Sequence, residues 1–273
     1  MRRVDLHIHT HASDGHFSPT EVVQMAVTGR LDVISITDHD TVAGVDEALA
    51  AADGLPLRVV PGIEMSTRED DHEIHLLGYF VDPHSAPVVQ HQAGAVERRA
   101  ERMRQMVENL NRMGVEVDYA DVVRAAGPDA STIGRPHLAR ALLERGATRY
   151  YGEAFDRYIG DQGPAFVRSD FPGVRESIEA VHRAGGVAVW AHPDVAMFDQ
   201  YVRVFAEWGL DGVECYRPST PPVESHLFET VAHSLGMFCT GGSDWHGTHR
   251  GPLGDFAVKW DDVQELLAGR LGG

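Results

Sequence analysis

At 273 residues the chain has room for one large domain, or for one domain with a sizeable insertion. Its hydrophobic share of 43% is that of an ordinary globular protein, and no apolar run approaches the roughly 18 residues that a membrane-spanning helix needs. A formal charge of −17 speaks against long nucleic acid docking over the whole surface.

The start, "MRRVDLHIHT", carries basic residues without an apolar stretch behind them, so no secretory signal is expected. Residues 5 to 16, "DLHIHTHASDGH", hold four histidines and two aspartates. Val4, Leu6 and Ile8 alternate with Asp5, His7 and His9, the period-2 pattern of a strand with two different faces. That spacing sets the rings of His7 and His9 side by side, which suits two ligands to one ion. The following "SPTEVVQMAVTGR" reads as a helix capped by Ser18, with Pro19 in its first turn and Glu21 completing a capping box. "LDVISITDHD" is a second strand, a helix over about 43–52 follows, and "LRVVPGIEMS" and "EIHLLGYF" flank the acidic turn "REDD".

The middle of the chain breaks this rhythm. A long polar helix is expected from about Val88 to Met113, then three short helical stretches in "DYADVVRAAG", "STIGRPHLARALLERG" and "YYGEAFDRYIG". Residues 98–168 hold twelve arginines against ten acidic residues, while the remainder holds 12 basic and 31 acidic ones. The expected organisation is therefore a barrel segment over 1–90, a helical insertion over 91–168 and a second barrel segment over 169–273. Alternation then resumes with the helix "FPGVRESIEAVHRAGG", the strands "VAVWAHP", "LDGVECY" and "MFCTGGSDWHG", the helix "PPVESHLFETVAHSLG" and a last helix "DDVQELLAGRL". Strands and helices in this order imply a parallel sheet or a (β/α) barrel, an α/β fold. Cys215 and Cys239, 24 positions apart, are expected to be buried thiols, which fits a reducing, cytoplasmic setting.

Chemistry-bearing residues recur at the strand ends. "TDHD" offers His39, "GIEMS" Glu64, "EIHLLGY" His75, "AHP" His192 and "GGSDWHG" both Asp244 and His246, with Asp14 just after the first strand. A lone strand histidine is more often a satisfied core residue than a ligand. Nine such residues at the ends where barrel enzymes assemble their sites are harder to leave at that. Imidazole and carboxylate donors without thiolate suit Zn²⁺, Mn²⁺ or Fe²⁺. Asp38, Asp40 and Asp194 are candidates to orient the imidazoles, or equally to cap helices and turns.

Taken together, "DLHIHTHASDG", "SITDHDTVAG", "GIEMS", "EIHLLGY", "AHP" and "GGSDWHG" resemble the successive motifs of the PHP (polymerase and histidinol phosphatase) family of metal-dependent phosphoesterases. The resemblance covers both ends of the chain and skips the insertion. It implies a distorted (β/α)7 barrel with a site for three divalent ions, Mn²⁺ favoured. By that analogy one ion takes His7, His9, Glu64 and Asp244. A second shares Glu64 and adds His75 and His192, and a third takes Asp14, His39 and His246. Some family members have histidine where this chain has Asp14.

Three divalent ions against three carboxylates leave a formal +3, which favours an anionic phosphate ester and the charge that builds on it. A hydroxide bridging the metals would be the nucleophile, with Glu64 and Asp244 holding those metals and no protein nucleophile required. Ser131, Arg135 and His137 in "STIGRPHLAR" stand near a helix start, where free N–H groups and an arginine fork favour phosphate. "GRPH" in such an insertion is similar to the PHP subgroup that removes the 3′-phosphate of nucleoside 3′,5′-bisphosphates, some of whose relatives trim short 5′-phosphorylated RNA. Arg217 and His226 are expected to line the same cleft. The expected substrate is thus a nucleotide or short oligoribonucleotide. The alternatives are another small phosphomonoester, such as histidinol phosphate, or a non-catalytic metal-stabilised module of the same family.

Overall fold

The computed structural model describes residues 2–271. Its first strand, β1 (Arg3–Ile8), is buried on both faces from Val4 onward. The chain then enters α1 (Pro19–Thr28) through the expected cap: the Ser18 hydroxyl accepts from the Glu21 amide, and the Glu21 carboxylate accepts from the Ser18 amide. β2 (Val33–Ile36) and β3 (Arg58–Glu69), with α2 (Val45–Ala51) between them, extend the sheet in parallel.

At Asp70 and Asp71 the chain folds straight back into β4 (His72–Tyr79), antiparallel to β3 from Glu69 opposite His72 to Gly62 opposite Tyr79. Asp70 takes the left-handed conformation, φ 48°, as two-residue hairpin turns ask of their central residues. β4 is therefore reversed within an otherwise parallel barrel, and β5 (Val187–Trp190) pairs antiparallel to it in turn. This reversal is the distortion of the barrel.

No strand lies between Tyr79 and Val187 among the described residues. That stretch holds α3 (Ala86–Arg112), α4 (Tyr119–Ala126), α5 (Arg135–Glu144), the short α6 (Tyr151–Ala154) running into a π-helical turn over Phe155–Ile159, and α7 (Val174–Arg183). The long helix belongs to two apolar clusters. Val88 near its start packs with Ile63, Leu76 and Ile178 of the barrel. Met103, Met106 and Leu110 near its end pack with Val122, Leu138 and Ile159 in a separate cluster.

After α8 (Val195–Glu207) come β6 (Gly212–Tyr216), α9 (Pro222–Ser234) and β7 (Phe238–Gly241), then β8 (Val258–Lys259) and α10 (Trp260–Leu271). The strand order is β7-β6-β5-β4-β3-β2-β1-β8, with β8 a two-residue antiparallel addition to β1. The chain beyond β7 closes on β1: Ile8 bridges Trp245 in parallel, the His9 amide donates to the Trp245 carbonyl at 2.9 Å, and the Ser243 amide donates to Asp5 at 2.8 Å. Seven strands thus form a nearly closed, distorted (β/α)7 barrel. Cys215 and Cys239 are buried free thiols on neighbouring strands, as their spacing suggested. Among the described residues, no helix is long and apolar enough to cross a membrane.

Candidate metal centre

The nine residues singled out at the strand ends converge on one end of the barrel. β1 sets the rings of His7 and His9 5.2 Å apart on one face. Beyond it the chain curls back through Asp38, which accepts from the Thr10 amide and hydroxyl and from the Ser13 hydroxyl at 2.6–2.7 Å. The curl needs Gly15, where a Cβ would sit 2.6 Å from the His9 carbonyl oxygen. It returns Asp14 to His246, 3.3 Å away, and to His9 and His39 at 3.7 and 3.9 Å.

Glu64, from the middle of β3, is fully buried and uses its two oxygens in opposite directions. Oε1 lies 2.9 Å from His75 Nδ1 on β4 and 2.9 Å from His192 Nε2 beyond β5. Oε2 lies 3.3, 3.2 and 3.0 Å from His7, His9 and His39. Asp244 Oδ1 stands 3.5 and 3.3 Å from the same Nε2 atoms of His7 and His9. Two of these residues are held in the left-handed region, His192 at φ 34° and Asp244 at φ 52°, a conformation that costs energy and recurs at functional sites.

The arrangement leaves polar atoms stranded. His7 Nε2, both ring nitrogens of His9, His39 Nδ1 and Glu64 Oε2 are buried without a hydrogen-bond partner. Buried orphans of this kind are rare in folded proteins, and here they point at one another. Donor atoms of three groups lie within 4.8 Å of one another: His7, His9, Glu64 and Asp244; His9, Asp14, His39 and His246; and His39, Glu64 and His75. These are donor sets that fit cations. Compared with the set expected from sequence, His9 faces two groups, His39 also reaches the Glu64 group, and His192 joins through its 2.9 Å contact to Glu64.

The electrostatics agree. Burial alone would push His9 and His75 down, but Asp244 and Glu64 overcome it for His9, Glu64 and Glu73 for His75, and both are lifted to about 10. Burial would raise the carboxyls of Glu64, Asp244 and Asp14, but the surrounding imidazoles hold all three well below the usual carboxylate range. His39 is the exception: burial dominates its carboxylate contacts and pushes it down to about 3.

Of the aspartates expected to orient imidazoles, none reaches a ring of the nine. Asp38 holds the β1 loop. Asp40 accepts from His91 and Arg99 of α3 at 2.7 Å. Asp194 caps α8 through the amides of Ala196 and Met197. The orienting carboxylate is Glu214, which sequence reasoning missed. It is fully buried in β6; Oε1 sits 2.9 Å from His7 Nδ1, and Oε2 accepts from the His192 amide at 2.8 Å. Glu73 plays a related part, 3.4 Å from His75 Nε2 and 3.3 Å from Arg102. The available signal was a charged residue inside an otherwise apolar strand, "VECY", since a buried carboxylate requires a partner.

The residues expected to touch substrate divide. Arg135 opens α5, lies over the Phe166 ring at 5.4 Å and pairs with Asp161. It lines two cavities that reach the centre: one of about 430 Å³, with Arg68, Arg168, His75 and His192, and one of about 140 Å³, with Arg102, Asp14 and His39. Ser131 precedes the helix and donates its amide to Ala12. His137 lines the smaller cavity, its Nδ1 accepts from the Gly134 amide at 2.9 Å, and burial pushes it down to about 4. Arg217 does not share the Arg135 cleft; it lines a different cavity beside Asp244. His226 lines none of these cavities, because its place on α9 turns it to solvent beside Glu229.

A metal-binding barrel of this type is a hydrolase scaffold, and the comparisons identify which. The PHP domain family matches residues 5–186, so the chain belongs to that family. It is 34% identical to a 5′-3′ exoribonuclease of Haemophilus influenzae over 90% of each chain. It is 30% identical to a 3′,5′-nucleoside bisphosphate phosphatase of Chromobacterium violaceum over 92% of this chain and 90% of that one. A solved structure from Bifidobacterium adolescentis, assigned to the metal-dependent phosphoesterases, superposes with a TM-score of 0.88 at 32% identity, covering 97% and 95% of the two chains. The protein is a metal-dependent phosphoesterase.

Proposed function

We propose that the enzyme removes the 3′-phosphate from nucleoside 3′,5′-bisphosphates, and that short 5′-phosphorylated RNA is an extended form of the same substrate. The observation that carries this reading is an arginine-bearing cavity beside the donor groups. Lined by Arg68, Arg135 and Arg168 together with Asp71, Glu73 and Asp161, it opens onto the same His75 and His192 that meet Glu64. One phosphate would lie at the donor groups while Arg135 grips the other with its planar fork, and Phe166 offers a face for the base. The named activities of the two relatives fit both substrate forms.

Three divalent ions, Mn²⁺ favoured over Zn²⁺ or Fe²⁺, would be held by His7, His9, Glu64 and Asp244, by Glu64, His75 and His192, and by Asp14, His39 and His246. Bound there, such ions supply Lewis acidity to phosphoryl oxygens and acidify a water. The chain's own contribution is positional. Glu64 fixes two donor groups by opposite oxygens, Asp244 closes one of them from the seam, and Glu214 sets the His7 ring so that Nε2 faces inward. The helical segment over 91–168 supplies Arg102, Arg135, Phe166 and Arg168, and with them substrate choice.

The test compares two substrates. Arg135→Ala should lower kcat/KM for adenosine 3′,5′-bisphosphate by roughly one to two powers of ten relative to p-nitrophenyl phosphate, since charge-assisted hydrogen bonds contribute about 1.5–3 kcal/mol each. An equal loss on both substrates would assign the arginine to the fold or the metal centre. The Arg135–Asp161 ion pair is the one observation that favours a second reading, in which Arg135 braces the lobe and the substrate is another small phosphomonoester such as histidinol phosphate.

A further inference from the structure

A cavity of about 560 Å³ reaches the centre without Arg135 in its walls. Its walls are the segments that follow β6 and β7, through Arg217, Ser219, Ser243, Arg250 and Phe256, and it meets the centre at Asp244. The larger of the two Arg135 cavities instead meets the centre at His75 and His192. Those two histidines contact one oxygen of Glu64, while Asp244 stands against the histidines that contact the other. The two cavities therefore reach different members of the same donor cluster.

Resting on the function proposed above, we infer that this second cavity is the subsite for the nucleoside downstream of the scissile phosphate when the substrate is a short RNA. A bisphosphate needs only the metals and the Arg135 side, because its 3′-phosphoryl carries nothing further. In RNA the same phosphoryl is esterified to the 5′-oxygen of the next nucleoside, and that group must go somewhere. The cavity has the matching chemistry. Phe256 is half-buried and offers a ring face for a base. Arg217 has a buried Nε without a hydrogen-bond partner. Arg250 reaches Asp244 at 3.1 Å, while Asp255 is the one carboxylate of the wall besides Asp244.

The reaction balances as hydrolysis. Water oxygen bonds to phosphorus, the P–O3′ bond breaks, and the 3′-oxygen leaves as a hydroxyl with one of the water's protons. The first nucleotide departs as a 5′-monophosphate, and the phosphoryl stays on the next nucleoside as a new 5′-phosphate. The shortened chain is then a substrate of the same kind.

The metal-loaded enzyme, Arg217→Gln and Ser219→Trp are compared on adenosine 3′,5′-bisphosphate and on a 5′-phosphorylated trinucleotide. Both substitutions should lower the ratio of kcat/KM, trinucleotide over bisphosphate, by about tenfold or more. Binding of a trinucleotide with methylene in place of the scissile 3′-oxygen should weaken by a similar factor, a readout free of turnover. An unchanged ratio with unchanged binding overturns the inference and leaves the bisphosphate reading standing, as does a wild-type enzyme that cleaves only the bisphosphate. A wild-type enzyme that cleaves neither overturns the proposed function itself.

Discussion

Glu214 illustrates how much of the centre rests on a residue outside the donor groups. Its two oxygens each take one donor, the His7 Nδ1–H and the His192 amide. A glutamine there keeps the shape but offers only one acceptor, so one of the two N–H groups would face an NH₂. Glu214→Gln should therefore weaken metal binding by about 10–100-fold, the usual consequence of losing a carboxylate behind a ligating histidine. Competition with a chromophoric chelator measures this, and unchanged affinity would mean that the His7 ring is held by packing alone. The donor residues themselves were legible in the sequence, because period-2 spacing and strand-end positions are written in adjacent letters. Glu214 and Glu73 were not, since Glu214 serves His7 more than two hundred positions away and Glu73 is held by Arg102 of the long helix. Asp40 misled for the same reason: it flanks His39 in sequence, but its carboxylate turns to α3.

That turn is what joins the long helix to the site. Asp40, fully buried and left-handed at φ 55°, accepts from His91, from Arg99 and from the Ser66 amide, and Arg99 also donates to the Ser66 hydroxyl. Burial would raise the Asp40 carboxyl, but Arg99 and His91 hold it far below its ordinary range. Arg99→Met strands this carboxylate and should destabilise the fold by about 3–5 kcal/mol in chemical denaturation near neutral pH. The sign with pH follows. A depressed carboxyl stabilises above its unfolded value near 3.8, and that contribution fades as pH falls below it. The gap between Arg99→Met and the parent should accordingly narrow in acid; a gap independent of pH would rule out the ion pair as its source. At this scale the helices could be read from caps and periodicity, as at Ser18. The reversal of β4 could not, because alternation of apolar residues carries no strand direction. Only the brevity of the "REDD" turn hinted at a hairpin.

Across the whole molecule, the raised imidazoles of His9 and His75 tie the stability of the metal-free fold to pH. His9 and His75 rise to about 10 in the folded chain from an ordinary 6.5. Raised histidines stabilise the metal-free fold below their unfolded value, and that stability is lost as pH climbs from about 6.5 toward 10. Metal binding runs the other way, since the protons must leave before the nitrogens can bind. The difference in Tm between metal-loaded and chelator-treated protein should therefore grow between pH 6.5 and 9, as scanning calorimetry would record. A difference that shrank with pH would mean that these histidines are not the ligands. The barrel was legible as a strand–helix alternation, and the break over the middle of the chain stood out in charge as well as pattern. The segment was expected over the site from its arginines; its boundary was less legible, because α3 serves two apolar clusters and nothing local says where one ends.

The closure between β1 and the stretch after β7 also sets a schedule. His7 and His9 are translated well before the amide and carboxylate that complete their surroundings, at Ser243 and Asp244, more than two hundred residues further along. During synthesis the first strand thus travels with its imidazoles uncommitted, and contacts so distant in sequence form late. The full donor set is consequently available only once the stretch after β7 has been made, and a chain interrupted before β7 would carry seven of the nine donor residues with no seam to close them.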